Sequence, residues 1–142
     1  MRIVAILILV AVAASTAAAI WWLRQPQTAA TSNNGGRLAH QVDVIVPALS
    51  EMAQAGQETF TAKCQMCHGA NASGGPGGPP LVHIIYEPSH HGDGAFLAAI
   101  RAGVRQHHWR FGNMPPVPGV TDEQIPQIIA YIRELQRANG IE

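Results

Sequence analysis

Hydrophobic positions are spread unevenly along this chain. The run IVAILILVAVAASTAAAIWWL, from Ile3 to Leu23, carries neither a charge nor a proline. Its 21 residues taken as a helix reach about 31 Å, close to the roughly 30 Å hydrocarbon core of a bilayer. Trp21 and Trp22 close the run, where indoles favour the membrane–water boundary, and Arg24 follows. The pattern predicts an uncleaved membrane anchor over residues 1–23. A cleaved secretory signal, with Ala17-Ala18-Ala19 at the cleavage site, is the competing reading. The run is long for one, since signal cores typically span about 7–15 residues.

Residues 24–49 are mostly Gln, Thr, Ala, Ser, Asn and Gly, without sustained periodicity. Such a stretch buries too little surface to offset the cost of ordering it, so it reads as a flexible linker. Its one apolar patch, Val42-Asp43-Val44-Ile45-Val46, either adds a short strand or packs on the domain.

From residue 50 the pattern is helical. Ser50 caps a helix on which Met52, Gly56, Phe60 and Cys64 recur every fourth residue. A Gly/Pro-rich stretch from Ser73 to Pro80 interrupts it. Asp93 caps a second helix with Phe96, Leu97, Ile100 and Val104 on one face and Gly103 at its end. Thr121-Asp122-Glu123-Gln124 is a capping-box pattern opening a third helix, with Ile125, Ile128, Ile129, Ile132 and Leu135 on its apolar stripe and Gly140 at its end. Pro126 falls in its early turns and either costs a backbone bond or shifts the start. No strand pattern competes over 50–142, so the expected fold class is all-α: one small domain of three main helices.

Composition narrows the function. Nine Lys+Arg balance nine Asp+Glu, and only 13% of the chain is charged. That argues against nucleic acid as a partner. Two cysteines cannot staple a disulfide scaffold. Away from the first segment the apolar content supports only a modest core, so a cofactor is expected to complete it.

The chemistry is concentrated in Cys64-Gln65-Met66-Cys67-His68, the C-x-x-C-H signature of haem c attachment. Two thiols three positions apart at the end of a helix can each add to one vinyl group of the same porphyrin, and the next residue offers its imidazole to the iron. Zinc lacks a second pair of soft ligands, and a thioredoxin-like dithiol lacks its βαβ context. Met114, in Phe111-Gly112-Asn113-Met114-Pro115-Pro116, is the candidate for the sixth iron position, against the plain reading of a methionine filling a core gap. Prolines on the loop lower the entropy of holding a thioether in place. With His and Met both bound, no coordination position is open to substrate, which suits electron transfer.

Residues 52–139 resemble a class I cytochrome c. Gly56-x-x-x-Phe60-x-x-x-Cys64-x-x-Cys67-His68 is similar to the family's first helix, whose glycine permits a close crossing with the last helix, and Tyr131 stands at the position of the aromatic partner there. Gly78-Pro79-Pro80-Leu81 resembles the family's proline turn. By that likeness the Pro79 carbonyl accepts the Nδ1 proton of His68. Gly112-Asn113-Met114-Pro115 resembles the distal ligand loop. The resemblance implies one covalent haem c on Cys64 and Cys67, with His68 and Met114 as axial ligands. It also implies attachment on the periplasmic face, giving a single-pass inner-membrane protein whose haem domain faces the periplasm.

His83, His90, His91, His107 and His108 depart from that pattern. They are read as polar loop surface, as a second metal site for copper or another transition metal, or as groups whose protonation is linked to haem redox change. His107 or His108 as iron ligand in place of Met114 is a further alternative. Neighbours in extended chain point apart, so each adjacent pair is expected to supply one ligand at most. Arg101, Arg105 and Arg110 are either a solvated helix face or a small docking patch. Residues 50–142 hold six basic and eight acidic residues, so long-range steering of partners is expected to be weak.

The leading expectation is a non-enzymatic one-electron carrier. Its partners are a quinol-oxidising complex or dehydrogenase on one side and a terminal oxidase or reductase on the other. A copper-binding or metal-sensing haem protein, and a peroxidase or sensor with a loosened methionine, are the alternatives.

Overall fold

A computed structural model describes residues 38–142 of the chain. The expected anchor and the tether up to residue 37 lie outside the described residues. Among the described residues no helix is long and apolar enough to cross a membrane.

The domain is helical, and no strand forms among the described residues. Helix α1 spans Glu51–Lys63, the single turn α2 Gln65–His68, α3 Asp93–Ala102 and α4 Gln124–Ala138. Short 3₁₀ turns at Ala70–Ala72 and Ile84–Tyr86 punctuate the loop between α2 and α3. Ser50 caps α1, its hydroxyl accepting from the Ala53 N–H. The buried face of α1 is Ala53, Gly56 and Phe60, and Met52 is more than half exposed. The expected four-residue stripe is thus corrected at its start: the face follows the 3.6-residue period, which brings Ala53 inward and turns Met52 to solvent. In α3, Phe96 and Ile100 are buried while Leu97 is about half exposed. The face of α3 is narrower than the pattern suggested.

All five apolar positions expected on α4 are buried. Pro126 is its third residue, in the first turn, where no intrahelical acceptor is lost. At the other end Gly140 N–H and Ile141 N–H return to the carbonyls of Arg137 and Gln136, a Schellman closure.

Helices α1 and α4 form the principal packing pair. Gly56 lies directly against the α4 backbone at Gln127 and Ile128. One turn further on, the Phe60 and Tyr131 rings meet at 5.5 Å and 60°. The Tyr131 hydroxyl donates to Asn71 Oδ1 at 3.1 Å, which ties α4 to the loop after α2.

The apolar patch at 42–46 forms no strand. Val42 and Val44 pack against the core, and the Ile45 backbone exchanges hydrogen bonds with the Asn139 side chain. The packed domain therefore begins before residue 50. Val42, Val44 and, further along, Leu49 have apolar surface to bury against it.

Candidate functional site

The pentapeptide sits where α1 gives way to α2. The Cys64 N–H still reaches the Phe60 carbonyl at 2.8 Å, and the His68 N–H reaches the Cys64 carbonyl at 2.9 Å. This tight turn leaves Met66 fully outward and His68 buried. Cys64 and Cys67 are half-buried thiols outside any disulfide. Burial, with Cys67 alongside, pushes the Cys64 thiol up to about 11.

His68 Nδ1 donates to the Pro79 carbonyl at 2.9 Å. A carbonyl can only accept, so the proton resides on Nδ1 and Nε2 keeps its lone pair. Burial lowers the imidazole pKa, partly countered by the Pro79 bond. The ring is therefore neutral at neutral pH, as a metal ligand must be.

Met114 is held by its backbone. Its N–H and C=O each pair with Val104 at 2.9 Å, an isolated antiparallel bridge just past α3. Side chains close the loop between them: the Gln106 N–H donates to Asn113 Oδ1 at 2.9 Å, and the Gly112 N–H donates to Gln106 Oε1 at 2.7 Å. Pro115 and Pro116 are thus only part of what fixes this segment.

Cys64, His68, Pro79 and Met114 line one cleft of about 900 Å³, part of it open to solvent. Its walls include Phe60, Leu81, Phe96, Ile100, Ile128 and Ile132, the largely apolar lining of a cofactor pocket. Trp109 also lines it, and its Nε1–H is buried without an acceptor. Burial pushes the Tyr86 hydroxyl up to about 12, with the neighbouring Trp109 side chain acting the other way. An apolar cleft with a soft thioether, a neutral imidazole and one orphaned donor fits a large planar metallocofactor that carries acceptor oxygens at its edge.

Residues 53–136 match the family model for cytochrome c. The chain belongs to the cytochrome c family. Comparisons with curated proteins and with solved structures each return no match. The cytochrome is of the class I type: an all-α domain with one covalently attached haem c, serving electron transfer between redox partner proteins.

The other residues expected to matter are distributed unequally. Cys67 Sγ packs beside Gly77. His91, His107 and His108 stand at the cleft, and His90 joins them from the solvent side. His83 stands apart, its Nδ1 accepting from the Ile85 N–H and its ring edge-on to Trp109. Arg101 is engaged by Asp122 and the Val120 carbonyl. Helix α3 ends at Ala102, so Arg105 does not share a helical face with it.

Arg133 is the main residue that pattern reading missed. It is buried on α4 and donates to Asp93 at 2.8 Å, Tyr86 O at 2.8 Å, His91 O at 2.6 Å and Gln136 Oε1 at 2.5 Å. A charged residue one position beyond Ile132 and four beyond Ile129, on the apolar stripe, was the available signal. Trp109 had none, since an isolated indole in a polar loop looks the same whether its N–H is satisfied or not.

Proposed function

We propose that Cys64 and Cys67 hold the haem as thioethers, that His68 and Met114 are its axial ligands, and that the cytochrome passes single electrons between membrane or periplasmic partners. The observation that carries this reading is the convergence of Cys64, His68 and Met114 on one apolar cleft, with the His68 tautomer set by Pro79.

When bound, haem c supplies an iron that cycles between ferric and ferrous states. His68 contributes a neutral nitrogen whose orientation is fixed by the Pro79 carbonyl. Met114 contributes a soft sulfur on a segment already immobilised by Val104, so little ordering entropy is spent in binding. Phe96, Ile100, Ile128 and Ile132 exclude water, which keeps reorganisation small when the charge changes.

The reading extends to the rest of the chain. Residues 1–23 anchor the protein in the inner membrane as a single span, and the segment to residue 37 tethers a periplasmic haem domain. Support comes from the uncharged run Ile3–Leu23 with its terminal tryptophans. A tether raises the effective concentration near membrane partners. A quinol-oxidising complex or dehydrogenase is the donor, and a terminal oxidase or reductase the acceptor.

Exposure of the ferrous protein to CO tests the closed coordination sphere. The wild type binds CO slowly and incompletely, and Met114→Ala binds it at once. Immediate CO binding by the wild type contradicts methionine ligation.

A further inference from the structure

We propose that His90, His91 and His108 form a copper(II) site at the mouth of the haem cleft, with His107 beside His91. These imidazoles come from two segments, the turn before α3 and the loop before Met114. His90, His91 and His108 each offer a ring nitrogen, all within 4.8 Å of one another. His90 Nε2 and His108 Nε2 are 3.2 Å apart, and His91 Nε2 and His107 Nε2 are 3.5 Å apart. Metal–nitrogen bonds of about 2.0–2.1 Å separate neighbouring ligand nitrogens by about 2.8–3.0 Å in the tetragonal geometry of copper(II) and by about 3.3–3.4 Å in a tetrahedral one. The observed separations need only a small contraction of exposed side chains to close on a copper ion.

The tautomers make this more than crowding. His91 Nδ1 donates to the Ile85 carbonyl at 2.7 Å, and His107 Nδ1 donates to the Arg105 carbonyl at 2.8 Å. Each carbonyl only accepts, so each Nδ1 carries a proton, which leaves Nε2 as the atom that can bind a metal. The two Nε2 atoms face one another, as a shared cation would require. An imidazole whose other nitrogen donates to a backbone carbonyl is the usual arrangement of a metal-ligating histidine. The site is also held from behind, because the buried Arg133 grips the His91 carbonyl at 2.6 Å.

Both members of a pair take part because the backbone is not extended there. The N–H groups of His90 and His91 both bond to the Glu87 carbonyl, which folds the chain into a turn. The proposed site thus takes two ligands from the His90-His91 pair, where one was expected, and one from His107-His108. The metal-capable cluster among the described residues contains imidazoles without thiolate or carboxylate. A borderline divalent ion suits such a set, and copper(II) binds tightest in the first-row series. His90, His107 and His108 are exposed, so the ion can enter from solvent.

Calorimetric titration of the haem-loaded, full-length protein with Cu²⁺, paired with its copper EPR spectrum, tests this. One equivalent binds saturably with nitrogen hyperfine structure, and His90→Ala and His108→Ala each weaken it about tenfold or more. His90 is exposed and lines no part of the haem cleft, so His90→Ala retains the wild-type haem spectrum, whereas His91→Ala and His108→Ala alter the cleft wall. His83→Ala binds copper as the wild type does. Absence of saturable binding, or equal affinity in the His90 and His108 variants, overturns the site.

Discussion

Val104 and Met114 exchange both of their backbone hydrogen bonds, at 2.9 Å each. That one bridge joins the end of α3 to the segment that carries the sulfur. Its neighbour Gly103 adopts φ +75°, and a Cβ there would run into the Met114 carbonyl. Gly103→Ala is therefore expected to displace the Met114 segment. The ferric spectrum should lose its sulfur-to-iron charge-transfer band at neutral pH while haem remains attached. An unchanged band would mean that the bridge does not position the ligand.

The α1–α4 crossing gives a stability test. A methyl group on Gly56 would overlap the Gln127 carbonyl, and backbone cannot rotate away as a side chain can. Gly56→Ala should cost about 1–3 kcal/mol or more. Denaturant unfolding of the haem-loaded protein, followed in the haem absorption, measures it.

Much of this was legible in the sequence, and the parts that were not have physical reasons. The α4 stripe could be read because every turn repeats the same demand for apolar contact. The attachment pentapeptide could be read because its spacing is set by one rigid ligand. The meeting of His90 and His91 with His108 could not, since it depends on two bonds to the Glu87 carbonyl that no side-chain pattern announces. The bridge between Val104 and Met114 is likewise a backbone event, invisible to residue type.

Acid should weaken the capped start of α1. The Ser50 hydroxyl donates to Glu134 Oε1 at 2.6 Å and its N–H to Oε2 at 3.0 Å. The hydroxyl bond above all holds the Glu134 carboxyl below its ordinary range. A carboxylate whose pKa is lower folded than unfolded stabilises the fold above its unfolded pKa. That contribution fades as pH falls through the folded value. Glu134→Gln should flatten this part of the acid dependence of stability. Ser50→Ala should do the same and, by removing the cap, cost about 1 kcal/mol at neutral pH. Thermal melts across the acid range check both.

Arg133 should prove more important to the fold than its charge suggests. Its replacement by Met leaves the His91 carbonyl and Gln136 Oε1 without their donor, while the Tyr86 carbonyl keeps Gln136 Nε2 and Asp93, being exposed, is solvated. Each acceptor stranded in a buried position costs about 1–3 kcal/mol. Arg133→Met should thus lower stability by several kcal/mol and speed amide exchange in the 86–93 segment. Hydrogen exchange at wild-type rates would show that the segment holds itself.

The most direct test of the iron's coordination is near-infrared magnetic circular dichroism of the ferric protein, matured with its export and haem-attachment machinery intact. One low-spin haem with a histidine–methionine signature is the predicted result, and Met114→Ala abolishes it. A bis-histidine signature in the wild type, or a signature indifferent to Met114→Ala, would contradict it.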